Sequence, residues 1–261
     1  MANRNLINAR RAKNDEFYTL YGDIQKEIEA YLEYDSDTFK GKIIYCNCDD
    51  PFESNFFRYF VLNFTRLGLK QLITTSYKPS PVANTQLALF GDDKTIRPAK
   101  GRPKITANKF IINEVHDVNR DGAFNLTDVA EQLKANKNNE WEPLNNDGDF
   151  RSEECIHLLE QSDIVVTNPP FSLFREYVQQ LFDYGKKFLI IGNINCLTYK
   201  EVFQKIKKNE IWLGNGMGRW ISGFIVPESY DLYGTEARID ENGDRIVSTN
   251  SCLWLTNLDH G

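Results

Sequence analysis

The chain reads as an α/β protein built on a mostly parallel, doubly wound sheet, and three observations predict it. Apolar runs of strand length alternate with amphipathic runs of helical spacing along most of the sequence. The first such strand, 42–48, leads into Asp50-Pro51-Phe52-Glu53, which has the form of a helix start: an acidic cap, proline at the first position and glutamate three residues after the cap. The apolar run Ile164-Val165-Val166 stops at Asn168-Pro169-Pro170-Phe171 before another amphipathic segment. That places a stiff polar corner at the carboxyl edge of the sheet, where open α/β folds put ligands.

Each element follows from its local pattern. Ile24, Ile28, Tyr31 and Leu32 give segment 22–34 helical spacing. After the strand at 42–48, Phe56, Phe57, Phe60, Val61, Phe64 and Leu67 share one broad helical face, and Gly68 supplies the stop. Residues 71–77 read as a second strand. From 78 to 109 the periodicity breaks among prolines, glycines and basic residues, which marks an insertion too long to be idle in a compact domain. Phe110-Ile111-Ile112 reads as a strand edge, 126–133 as a helix, 141–150 as the lead-in to an acidic motif, and Glu153–Gln161 as a short helix. Strand 163–167 precedes the Asn-Pro-Pro-Phe corner, helix 172–184 follows it, and Gly185 ends that helix. A buried strand at 188–191, a helix at Lys200–Lys207, and closing strands near 211–213 and 246–255 complete the reading. No internal repeat is visible.

Composition narrows the class. With 261 residues and 41% hydrophobic content, the chain can bury a substantial core as one large domain, or one domain with an appendage. No apolar stretch approaches membrane-spanning length and the first residues lack a signal-peptide core, so a soluble cytoplasmic protein is expected. Five scattered cysteines without a Cys-x-x-Cys pair, and three histidines, suggest reduced and mostly buried thiols, with neither a disulfide framework nor a metal site. The net charge of -6 sits poorly with nucleic-acid binding, since phosphate neutralisation usually dominates affinity. Local clusters at Arg10, Arg11 and Lys13, and at Arg97, Lys100, Arg102 and Lys104, can still form a basic face, although such runs are often only solvated surface.

The corner at 168–171 has the chemistry of a site. Proline fixes its own φ, lacks an N–H and pushes the residue before it out of the helical region, so Asn168 and Pro169 are both held extended. A planar amino group lying between the Asn168 side-chain oxygen and the Pro169 carbonyl can donate both its hydrogens, which favours a pyramidal nitrogen with its lone pair aimed at an electrophile. Phe171 is placed to stack on the attached ring. The bland alternative is that Pro-Pro merely punctuates a strand-to-helix connection.

Asn168-Pro169-Pro170-Phe171 resembles the catalytic motif of amino-group methyltransferases, and the remainder is similar to the EcoRI-type adenine-specific DNA methyltransferases. The likeness is carried by Asp15-Glu16-Phe17-Tyr18-Thr19, by Tyr45-Cys46-Asn47-Cys48-Asp49-Asp50-Pro51 with Ser54-Asn55-Phe56-Phe57, and by Leu72-Ile73-Thr74-Thr75. Asp147-Gly148-Asp149-Phe150-Arg151-Ser152-Glu153 and Thr256-Asn257-Leu258-Asp259-His260-Gly261 extend it over most of the chain. The resemblance implies a Rossmann-like methyltransferase fold in a single domain over 1–261, with 1–40 closing over the cofactor and 78–109 an insertion able to touch DNA. It also implies S-adenosylmethionine as methyl donor and double-stranded DNA as substrate, with a cognate restriction endonuclease as a possible partner and no membrane.

Residue roles follow from the same likeness. Asn168, Pro169, Pro170 and Phe171 hold the amine, and Asp149 and Phe150 receive the cofactor's adenine. Phe17, Tyr18 and Thr19 close over its methionine end. A glycine-rich turn usually follows the first strand; here Cys46, Asn47, Cys48, Asp49 and Asp50 stand there, with Asp49 or Asp50 able to face the donor's ammonium unless one is the helix cap. The second strand usually ends in an acidic residue for the ribose, and Thr74-Thr75-Ser76-Tyr77 leaves that contact to hydroxyls or backbone. A base inside a duplex must be extruded to reach such a pocket. Trp220 and Phe224, in a glycine-flanked loop, are candidates to sandwich it, and Arg97, Lys100 and Arg102 are candidates to contact DNA.

Two other readings are compatible with the corner. One is a methyltransferase acting on protein glutamine, whose carboxamide nitrogen fits the same pocket. The other is a DNA-binding relative that keeps the fold without turnover. Family members usually continue beyond Asp-His-Gly, so part of the DNA-reading surface is expected to lie outside these 261 residues.

Overall fold

A computed structural model describes residues 18–48, 54–77, 107–117, 128–129, 131–132, 138–218, 221–226, 237–248 and 251–261. In chain order, strand β1 (Tyr18–Thr19) precedes helix α1 (Tyr21–Tyr34), which buries Ile24, Ile28 and Tyr31 as its spacing predicts. Strand β2 (Ile43–Cys46) leads to α2 (Asn55–Leu62) and α3 (Phe64–Leu67), one apolar run broken at Asn63 and stopped by Gly68 at φ 61°. Strands β3 (Gln71–Thr75), β4 (Asn108–Ile112) and β5 (Glu140–Pro143) follow. Then come α4 (Glu153–Gln161), β6 (Ile164–Thr167), a 3-10 turn (Phe171–Leu173) and α5 (Phe174–Asp183). Strand β7 (Lys187–Asn193), a second 3-10 turn (Ile194–Thr198), α6 (Lys200–Lys207) and β8 (Trp212–Leu213) precede four short strands. These are β9 (Phe224–Ile225), β10 (Ala237–Ile239), β11 (Arg245–Val247) and β12 (Cys252–Thr256).

The chain divides into two compact units, 39–165 and 1–38 with 166–261. In the first, the strand order is β5-β4-β3-β2 followed by the start of β6. Strand β2 is parallel to β3 and β6, whereas β3–β4 and β4–β5 are antiparallel. In the second, the end of β6 is followed by β7, β12 and β8, with β12 antiparallel to both its neighbours, and a separate sheet runs β1-β9-β11-β10. The architecture is therefore mixed α/β with a parallel centre. Apolar period reveals that a segment is a strand and says nothing about its direction, which the connections set.

Several expectations are corrected. Helix α2 begins at Asn55, capped by Ser54, whose Oγ accepts from the Phe56 and Phe57 N–H groups at 3.1 and 3.4 Å. Asp50 is thus not its cap; a hydroxyl two residues ahead of the first buried ring meets the unsatisfied amides directly. Strand β4 pairs on both sides, and the outer strand is β5, which the sequence had offered only as a lead-in. Segment 246–255 is not one closing element, because β11 belongs to the small sheet and β12 to the large one. Of the insertion, only 107–109 is described, and Asn108 already opens β4. Residues 128, 129, 131 and 132, within the expected helix at 126–133, are helical.

Aromatic rings fill both cores. In the first unit Phe39 meets Phe60 edge-on at 5.8 Å, and Phe110 stacks on Trp141 at 5.6 Å. In the second, Tyr31, Phe174, Tyr177, Phe188 and Trp254 are fully buried. All five thiols are free, and four are buried. No described helix is long and apolar enough to cross a membrane.

Gly192 in β7 accommodates Phe174: a Cβ there would lie 2.8 Å from the ring and 3.0 Å from the Cys196 sulfur. Gly192→Val is expected to overpack this contact and lower stability by about 1–3 kcal/mol, read as a shift in urea midpoint. An unchanged midpoint would show that the helix slides freely over the strand.

Candidate active site

The tetrapeptide lies in the second unit. Val166 and Thr167 bring β6 fully buried to its end, Asn168 is half-buried, and Pro169 is buried. Pro170 is extended at φ -57°, ψ 119°, and its carbonyl accepts from the Leu173 N–H at 3.0 Å to close the 3-10 turn. The Pro169 carbonyl accepts no backbone hydrogen bond from the described residues. Phe171 opens the turn, half-buried, and lines a hollow of about 150 Å³.

The expected cofactor residues Cys46, Asn47, Asp149 and Phe150 lie in the first unit. Cys46 and Asn47 are buried at the end of β2, and Cys48 takes a left-handed φ of 66°. A non-glycine residue holds that conformation at a cost of about 1–2 kcal/mol. At the end of β3 two hydroxyls are engaged: Thr75 Oγ1 lies 3.0 Å from Tyr45 Oη, and Ser76 Oγ accepts from Asn108 N–H at 2.8 Å. The Thr74 hydroxyl is buried without a hydrogen-bond partner.

The acidic turn packs onto this edge. Asp149 Oδ1 accepts from the Arg151 N–H and Nε–H, each at 2.9 Å, and Oδ2 from Nη2 at 2.7 Å. The Arg151 guanidinium lies 5.3 Å over the Phe150 ring, itself only 3% exposed. Gly148, at φ 77°, makes the approach possible, since a Cβ there would sit 1.9 Å from the Ser76 carbonyl oxygen. Ser152 caps α4 by accepting from Cys155 N–H, as read from the sequence. Gly148 and Arg151 were not singled out as functional, although the Asp-Gly-Asp turn carries the signal for the glycine.

In the second unit β1 pairs with β9, so Thr19 lies opposite Phe224 and Tyr18 opposite Ile225. Phe224 is 3% exposed. Phe17, Asp49, Asp50, Arg97, Lys100, Arg102 and Trp220 fall outside the described residues.

Two acidic residues of α1 escaped the sequence reading. Asp23 accepts from Ser222 N–H at 2.7 Å and from its hydroxyl at 2.9 Å, and Glu27 Oε1 accepts from Asn215 N–H at 2.9 Å. They sit one turn apart on the face that buries Ile24 and Ile28, and that placement was the available signal. Burial raises both carboxyls, that of Glu27 to about 7, against the lowering effect of the hydrogen bonds they accept. The closing motif is architectural: Thr256 Oγ1 donates to Phe188 O, Asn257 brackets Phe188 N–H and Lys186 O, and His260 Nε2 meets Leu213 O at 2.7 Å.

Residues 5–261 match the family described as "Adenine-specific methyltransferase EcoRI". The chain belongs to this family. It is 49% identical over 98% of its length to the Type II methyltransferase M.EcoRI of Escherichia coli, covering 69% of that protein. It is 32% identical over 96% of its length to M.MpnI of Mycoplasma pneumoniae and to M.MgeORF184P of Mycoplasma genitalium, covering 63% of each. No solved structure matches the chain.

Gly148→Ala combines a strained φ with a collision against main chain, and is expected to cost about 2–4 kcal/mol in chemical denaturation; a wild-type midpoint would mean that the turn relaxes away from β3. Glu27 gives a pH prediction. Its folded value near 7 lies above the ordinary 4.5, so between these the folded state keeps a proton that the unfolded chain has lost. Stability from this group therefore falls as pH rises through that window, by about 3 kcal/mol in total. Glu27→Gln is expected to flatten the slope of unfolding free energy between pH 5 and pH 8 by that order, and an unaltered slope would place the titration elsewhere.

Proposed function

We propose that this family member moves a methyl group from S-adenosylmethionine to the 6-amino group of an adenine turned out of duplex DNA, in the cytoplasm, as the modifying half of a restriction-modification pair. The observation that carries the reading is the corner after β6: a half-buried carboxamide, a proline carbonyl outside the local backbone bonding, and a half-buried ring within four residues. Asn168 and Pro169 accept the two amine hydrogens, Pro170 fixes the turn, and Phe171 stacks on the purine. Phe224 is 3% exposed, so Trp220 is the better candidate for the second face of the base.

The donor's sulfonium makes its methyl a strong electrophile, so the protein's task is orientation rather than activation of a nucleophilic side chain. The residues of the first unit fit such a group. The Thr74 hydroxyl, buried and unpartnered at the end of β3, stands where a ribose acceptor is expected. Cys46, Asn47, Asp149 and Phe150 complete the first unit's described set; Phe17, Tyr18, Thr19, Asp49 and Asp50 are assigned to the methionine end by the family resemblance. Asp149 is held by Arg151 with its carboxylate oriented, and Phe150, as buried as Phe224, serves as the ring on which that arginine rests. Arg97, Lys100 and Arg102 remain the insertion's candidates for DNA contact.

Tritiated S-adenosylmethionine incubated with duplex DNA, followed by digestion to nucleosides, tests the assignment. Label is expected in methyladenosine; label in protein would favour a glutamine substrate, and none would favour a binding module. Asn168→Ala is expected to reduce transfer by orders of magnitude while calorimetric binding of the donor changes little. Activity within a few-fold of wild type would remove the carboxamide from the mechanism.

A further inference from the structure

The hollow beside Phe171 is lined also by Ser172, Leu173, Arg175, Glu176 and Tyr199. Arg175 is exposed in the first turn of α5, and its guanidinium carbon lies over the Tyr199 ring, 4.2 Å from the centroid. Tyr199 sits at the junction of the second 3-10 turn and α6, so two separate elements hold the pair in place. No hydrogen bond or ion pair ties Arg175 to the described residues. A guanidinium held over a ring by cation–π attraction leaves N–H donors that the ring does not take up. Those donors match the oxygens of a phosphodiester in a forked geometry that lysine cannot reproduce. Glu176 lines the same hollow, and its negative charge confines an anion to the Arg175 side.

We propose that this hollow is a phosphate-binding site, in which Arg175, backed by Tyr199 and with the exposed Ser172 hydroxyl beside it, grips the strand that carries the target adenine. The inference rests on the DNA-methylation reading above. Phe171 belongs to both places, and a base stacked on its ring leaves that nucleotide's backbone running past the same turn. A chain of net charge -6 needs its cations where the strand runs, and Arg175 is such a cation beside the proposed base pocket. The contact fixes the register of the extruded nucleotide without reading sequence.

The test measures binding of the full chain to a duplex bearing its mapped methylation site, by fluorescence anisotropy across about 50 to 200 mM salt. Arg175→Ala is expected to weaken binding several-fold and to reduce the slope of log K against log salt by about 0.9, the loss of one phosphate contact. Arg175→Lys is expected to restore the slope but only part of the affinity. Duplexes with single neutral methylphosphonates flanking the target adenine are expected to show one position that weakens wild type and leaves Arg175→Ala unaffected. If the alanine variant does not fold, Arg175→Gln and the wild-type methylphosphonate scan carry the same comparison. An unchanged slope, a change in sequence preference alone, or methylphosphonates of equal effect in both proteins would overturn the site. Wild-type protein that neither binds nor methylates DNA would instead overturn the reading beneath it.

Discussion

Two consecutive residues without a backbone N–H follow β6, one residue beyond its end, and the arrangement around them depends on that constraint. A strand that ended in ordinary residues would pass its carbonyls into the next helix. Here, of the two proline carbonyls, that of Pro170 is drawn into the 3-10 turn, through Leu173. The helix proper starts only at Phe174, whose ring fills the space beside Gly192. Stiffness at the corner is thus coupled to packing behind it. The fully buried Phe174 anchors α5 against β7, and Asn168 and Phe171, just ahead, are carried at the rim. A flexible corner would leave the proposed acceptors to sample many geometries, and orientation is the main contribution expected of a protein whose donor is already reactive.

Much of the fold was legible because period and punctuation are local. Ile24, Ile28 and Tyr31 marked α1, Gly68 and Gly185 marked helix ends, and Ser152 marked a cap, each through geometry confined to a few residues. Strand direction was not legible, since Phe110 and Ile111 look alike in a parallel or an antiparallel ladder. The small sheet was hidden for a related reason: two- and three-residue strands such as β1 and β9 show no period, and their pairing joins residues over two hundred positions apart. Of the site, the corner was readable because proline acts on its own neighbours. The dependence of the 147–150 turn on Gly148 was not, because the atom that forbids a side chain there is the carbonyl of Ser76.

Buried carboxylates in α1 illustrate another limit of pattern reading. On a helical wheel Asp23 and Glu27 look like errors on an apolar face. Their partners, Asn215 and Ser222, arrive from nearly two hundred residues away and present N–H groups to them. Each N–H satisfies a buried carboxylate oxygen that would cost about 1–3 kcal/mol if left unmet. The cost shows instead in protonation, with Glu27 raised to about 7. The segment they tether includes Trp220 in sequence, so the same pair restrains the chain on either side of the proposed stacking residue.

The turn after β2, assigned above to the donor by proposal, holds its backbone without a glycine. Glycine at such turns supplies a left-handed backbone and close approach to a ligand. Cys48 provides the first at φ 66°, accepting a modest strain, and that is tolerable where the surrounding structure determines the conformation. Close backbone approach matters most for phosphate, and the proposed donor carries none. A glycine is required instead at Gly148, where the acidic turn meets the end of β3 and a Cβ would collide with the Ser76 carbonyl. Arg151 then does for Asp149 what a rigid turn would otherwise do. Three charge-assisted contacts hold the carboxylate in one orientation, although the arginine is 47% exposed and such a pair contributes only about 0–1 kcal/mol to folding. A contact of so little worth to stability is better understood as fixing direction. That role explains an Asp-Phe-Arg sequence in which the same guanidinium reaches back over the ring between them.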